Sequence, residues 1–169
     1  MEERKLRNLK FIVDVINDAI SKEAYKSAFI NAFIIPDLCG QIEHDCSKGN
    51  KTAYVSWYNE YIFKYENTAD KNVIDGDIIY LIRCKLFHEG NMYHKEIINN
   101  LKNKYKVIDK VDDYNLRIDM NEICEVDQFS VLTSDRKMIN IDISINIINF
   151  TKKIVSVAEG YIELKSNNC

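Results

Sequence analysis

The chain has little of what punctuates or staples a fold. Its 169 residues include one proline, five glycines and one tryptophan. So few breakers argue against a loop-rich all-β fold and favour long, uninterrupted elements. The five cysteines, Cys39, Cys46, Cys84, Cys124 and Cys169, are odd in number and form no CxxC. That disfavours a disulfide framework, and the closest metal-like cluster, Cys39, His44 and Cys46, has no common zinc spacing. Reduced, apolar-environment cysteines are expected, and no metal. No apolar run reaches the roughly 20 residues of a membrane span. The longest, "AFINAFIIPDLCG", is interrupted by Asn31, Pro36 and Asp37. The opening "MEERKLRNLK" lacks the apolar core of a signal peptide, so a cytoplasmic protein with no membrane partner is expected. Positive charge is also lacking. The formal net charge is -3, which disfavours tracking a DNA duplex but leaves room for a local basic patch that touches a few nucleotides. Glycine-rich phosphate loops, nucleophile elbows and dinucleotide fingerprints are missing, so no cofactor is expected.

What is present is helical periodicity. Leu6, Leu9, Ile12, Val13, Ile16, Ala19 and Ile20 repeat in steps of three and four, as an amphipathic helix requires. Ser21 is a candidate N-cap for a second helix, with Glu23 in its first turn. Apolar residues nearly all round Ala28 to Cys39 predict a central buried helix, kinked or restarted at Pro36. "CSKGNKT" reads as a loop. Tyr54, Trp57, Tyr58, Tyr61, Ile62 and Tyr65 then form one broad aromatic stripe, a core face rather than a base-stacking platform. After the polar loop "ENTADKNVIDGD", Asp75 or Asp77 can cap a central helix carrying Ile78, Ile79, Leu81, Ile82, Leu86 and Phe87, which Gly90 would end.

Beyond Gly90 the pattern changes. "YKVID", "YNLRIDM", "FSVL" and "MINIDIS" alternate with period two, and "TSDRK" is a candidate hairpin turn. Helical spacing returns through Ile147, Phe150, Ile154, Val157 and Tyr161. The expected fold is mainly α. It is a single domain over 1–169: an antiparallel bundle of about five helices, with a β-hairpin or meander at about 105–144 before the last helix.

The chemistry concentrates in "LIRCKLFHEGN". Arg83 and His88 lie five apart, so on a helix they point about 140° apart and converge only in a space shaped by another element or molecule. A histidine serves as general acid or base at physiological pH, and an arginine offers a charged fork to phosphate. The pair suits metal-free RNA cleavage. The same residues also have an architectural reading. Arg83 can be satisfied by Asp37, Glu43 or Glu89, and His88 can cap helix carbonyls. Tyr93 and His94 could line the same space, and Lys85, Lys95 and Lys102 could supply a local basic patch.

"RCKLFH" in an apolar helix resembles the motif of the HEPN superfamily, an arginine followed after four to six residues by a histidine. Cys84 stands where asparagine often follows that arginine, and a thiol is the weaker donor. "IPDLCG", "YVSWYNEY" and "YLIRCKLFHEGN" also resemble, in order, segments of a group of bacterial and prophage proteins. The likeness covers about residues 25 to 91 well and the remainder loosely. It implies a small helical bundle, with Arg83 and His88 as catalytic residues; Lys85, Tyr93, His94 and Lys95 are the neighbouring candidates for binding. It also implies a metal-independent ribonuclease of a toxin or phage-defence system, acting as a homodimer on RNA, for which an antitoxin or other protein is a candidate partner. Other members of that superfamily are non-catalytic, and a scaffold that binds a protein or nucleic-acid partner is the alternative.

Overall fold

The computed structural model describes residues 2–44, 49–65, 74–90, 95–104, 111–120, 126–132 and 139–167. The chain is mainly α and divides into two compact units. Unit 1 is Met1–Glu66 with Ile147–Cys169, and unit 2 is Asn67–Asn146. Composition marks no such boundary in the sequence. The inserted unit is larger than the expected β segment, because it also contains the helix of Arg83 and His88.

Unit 1 is a bundle of five helices: α1 (Glu2–Ser21), α2 (Tyr25–Ala32), α3 (Ile35–Glu43), α4 (Asn50–Tyr61) and α7 (Ile147–Asn167). Helix α1 buries Leu9, Val13 and Ile16. It runs through Ser21, contrary to the expected cap. The Ser21 hydroxyl donates back to the Asp18 carbonyl at 2.7 Å, and α2 starts after Ala24 without a side-chain cap. The break between them is a Schellman turn. The Ala24 amide donates to the Ala19 carbonyl at 2.8 Å and the Glu23 amide to that of Ile20 at 3.0 Å. Glu23 takes the left-handed position with φ 57°, where glycine would be unstrained.

The stretch Ala28 to Cys39 restarts at Pro36, as expected, and so forms two helices. Helix α2 ends at Ala32, and α3 restarts with Pro36 in its first turn, where a missing N–H costs nothing. Phe29 and Phe33 meet Phe150 of α7 with ring centroids 5.6 and 5.4 Å away. Helix α3 lies close on α4. A Cβ on Gly40 would come within 2.6 Å of the Ala53 carbonyl oxygen, so only glycine fits at that approach. The aromatic stripe of α4 is core. Tyr54, Trp57 and Tyr58 are buried, and α4 ends at Tyr61, leaving Tyr65 exposed in a short 3-10 turn, Phe63–Tyr65.

Unit 2 contains α5 (Gly76–Glu89), α6 (Lys95–Lys104) and a three-stranded sheet of β1 (Val111–Asp119), β2 (Val126–Leu132) and β3 (Ile139–Asn146). Asp75 caps α5, its side chain accepting from the Ile78 amide at 3.3 Å, and Gly90 ends it in the left-handed conformation with φ 65°. Strands β2 and β3 are antiparallel, as a hairpin requires. The sheet order is β1-β3-β2 with β1 parallel to β3, which a meander does not allow. Part of the link that reverses the chain between β1 and β3 is β2 itself. Helix α6 packs on α5 and β1. Its segment, "KEIINNLKNK", carries three apolar residues, Ile97, Ile98 and Leu101, at helical spacing, which the period-two reading beyond Gly90 passed over. "YKVID" and "TSDRK" lie outside the described residues. Among the described residues, no helix is long and apolar enough to cross a membrane.

Candidate functional site

Helix α5 is apolar and covered in its first half and open in its second. Ile78, Ile79, Leu81 and Ile82 are buried, whereas Phe87, His88, Glu89 and Gly90 are exposed. Arg83 lies at the changeover and is half-buried. Its guanidinium sits 5.3 Å from the centre of the Phe87 ring, one turn ahead, and 6.0 Å from that of Tyr80, one turn behind. Two ring faces along one stripe therefore brace the cation. His88 stands in the last turn, beyond this stripe and beside the left-handed Gly90. Cys84 is half-buried.

The other candidates differ in their local surroundings. Lys85 forms an ion pair with Glu89 one turn on, so its charge is engaged within α5. Lys95 opens α6 and is exposed. Tyr93 and His94 lie outside the described residues. Asp37 sits in the first turn of α3, where a carboxylate complements the helix dipole. Glu43, the other carboxylate offered to Arg83, is engaged inside unit 1.

That engagement is a cluster the sequence barely marks. The Glu43 carboxylate accepts from the Tyr161 hydroxyl at 2.7 Å and pairs with the Lys165 ammonium at 2.6 Å. Tyr61 lies near enough to feel its charge. The Lys165 ammonium lies 5.4 Å from the centre of the Tyr161 ring. Trp57 stacks on Tyr61 at 5.4 Å, and Tyr161 meets both rings edge-on. The hydrogen bond from Lys165 holds the Glu43 carboxyl below its ordinary range, against the smaller effect of burial. Burial first, and Glu43 second, push the Tyr61 phenol up to about 12, and the same causes raise Tyr161. Burial raises the Cys39 thiol, with Glu43 adding to it, so this cysteine is an inert core residue. The one visible trace of the cluster is the spacing of Tyr161 and Lys165, four apart on one face of α7.

Charge divides unequally. Basic and acidic residues balance in unit 1, so the formal -3 falls on unit 2, which carries Arg83 and His88. Among the described residues, no three His, Cys, Asp or Glu side chains converge as metal ligands. No protein-family model matches the chain, and no curated protein or solved structure matches it either.

Proposed function

We propose that the chain is a HEPN-like, metal-independent endoribonuclease of the toxin or phage-defence type, working as a homodimer with Arg83 and His88 as its catalytic pair. One observation carries this reading: a half-buried guanidinium braced by Tyr80 and Phe87 lies on the same helix as an exposed histidine, at that helix's open end. Neutral His88 would take the proton of a ribose 2′-hydroxyl. That oxygen bonds to the adjacent phosphorus, the bond from phosphorus to the 5′-oxygen breaks, and the leaving oxygen takes a proton. A single imidazole cannot be base and acid in one concerted step, so the charged histidine of a second copy would supply that proton. Arg83 would stabilise the charge developing on the phosphate. The products are a 2′,3′-cyclic phosphate and a 5′-hydroxyl, and DNA, lacking the 2′-hydroxyl, would not be cut.

A second reading is a non-catalytic HEPN-like scaffold for a protein or nucleic-acid partner. The stacking of Arg83 and the Lys85–Glu89 pair favour it, since both engage the charges of α5 within the helix itself. The excess acid of unit 2 favours it too.

The test incubates the full chain with single-stranded and structured RNA in EDTA, beside an Arg83→Ala/His88→Ala variant of matching circular dichroism. Cleavage by the wild type alone, leaving cyclic phosphate ends, supports the nuclease. If neither protein cuts, the nuclease reading fails and the scaffold stands.

A further inference from the structure

Helix α1 has a second ordered stripe, opposite the one it buries. Arg4, Arg7, Phe11, Asp14 and Asp18 are all exposed, Phe11 by 65%. Their steps of 3, 4, 3 and 4 are those of a heptad seam, and they share an arc of about 80° on the helix. The stripe is basic in its first half and acidic in its second, with the aromatic near the middle of Glu2–Ser21.

This order is unfavourable for a lone helix. Arg4 and Arg7 stand near the N-terminal end and Asp14 and Asp18 near the C-terminal end, each against the helix dipole. Arg4 with Arg7, and Asp14 with Asp18, are like-charged neighbours one turn apart. Among the described residues, the side chains of Arg4, Arg7 and Asp14 make no ion pair or hydrogen bond. Asp18 pairs with Lys22 at 2.7 Å, but those side chains are 62% and 69% exposed, so the pair is weak and exchangeable.

We propose that α1 is a self-pairing seam, through which two copies of this chain associate with their α1 helices antiparallel. Antiparallel pairing about Phe11 sets Phe11 on its own counterpart, Arg4 opposite Asp18, and Arg7 beside Asp14. The surface is complementary to itself, as a two-fold interface must be. Every charge that is misplaced on the single helix meets its opposite on the second. A nucleic acid or an anionic membrane fits less well, because the basic half would attract phosphate and the acidic half repel it. The seam is short and rests on one aromatic per copy, so the dimer is of the weak, reversible class. The inference is independent of Arg83 and His88.

Sedimentation velocity over about a hundredfold range of concentration tests it. A monomer–dimer equilibrium is expected, shifted toward monomer as ionic strength rises from about 0.1 to 1 M. Phe11→Glu should abolish the dimer with the melting temperature unchanged, since the site is exposed. An all-acidic seam, Arg4→Asp/Arg7→Asp, and an all-basic seam, Asp14→Arg/Asp18→Arg, should each be monomeric alone and associate when mixed. That rescue keeps the test free of folding artefacts. A wild type monomeric throughout overturns the proposal, as does a dimer indifferent to these changes. A monomer that binds single-stranded RNA through Arg4 and Arg7 also overturns it, and makes the basic half a phosphate site.

Discussion

Helices α3 and α5 both end on a glutamate next to a histidine, Glu43–His44 in one and His88–Glu89 in the other. The two ends have opposite fates. Glu43 is bound by Tyr161 and Lys165, joining α3 to α7. Glu89 pairs with Lys85 along its own helix, and both it and His88 are exposed. Residue type alone does not set the surroundings of such a carboxylate; at Glu43, neighbours contributed by distant segments do. Among the described residues, the strongest pKa displacements accompany the stitched end, a reminder that structural networks perturb ionisation as active sites do.

Substitutions can enlarge or erase this contrast. The largest effect belongs to the bundle core: Phe150→Ala should cost about 3–5 kcal/mol in urea unfolding, because Phe29 and Phe33 lose their common neighbour. Gly40→Ala should cost about 1–3 kcal/mol, since its methyl group must push α3 off the α4 backbone. A cost below about 0.5 kcal/mol would mean that the two helices are less tightly apposed.

Glu43→Gln sharpens the comparison through pH. The folded-state pKa of Glu43 is depressed, so its contribution is present above the unfolded carboxylate value and lost as pH falls through the folded one. The wild type should therefore lose stability below about pH 4.5, and the variant should lose this part of the acid limb. At neutral pH the variant should be about 1–3 kcal/mol less stable, since a buried hydroxyl and an ammonium lose their charged acceptor. On the alkaline side the sign reverses. The raised Tyr61 contributes below its ordinary value near 10, and that contribution is lost as pH rises toward about 12. Tyr61→Phe should remove that share of the alkaline limb. Chemical denaturation across pH reads both limbs. The smallest effect is a gain: Glu23→Gly relieves a left-handed residue and should stabilise by up to about 1 kcal/mol, seen as a higher urea midpoint.

Much of the local structure was legible. The capping of α5 by Asp75, its end at Gly90, the restart at Pro36 and the buried stripe of α4 follow from short-range rules that leave marks within a few residues. The alternation of "YNLRIDM", "FSVL" and "MINIDIS" marked three strands, but alternation carries no partner or direction, so the parallel pairing of β1 with β3 was invisible. Ser21 misled because a serine at a helix end can bond backward to a carbonyl as readily as forward to an amide. The site divided in the same way. Arg83 and His88 announce themselves within six residues, whereas Glu43 and Tyr161 meet across 118 positions and leave no local trace.

The central claim is that the open end of α5 carries chemistry rather than architecture. Measuring RNA cleavage in EDTA and urea stability on the same samples of wild type and His88→Ala tests it most directly. The account predicts cleavage falling by about 10²–10⁴-fold with stability changed by less than about 0.5 kcal/mol, because the side chain is exposed. A wild type that leaves RNA intact, or a variant that cuts as well as wild type, would contradict it.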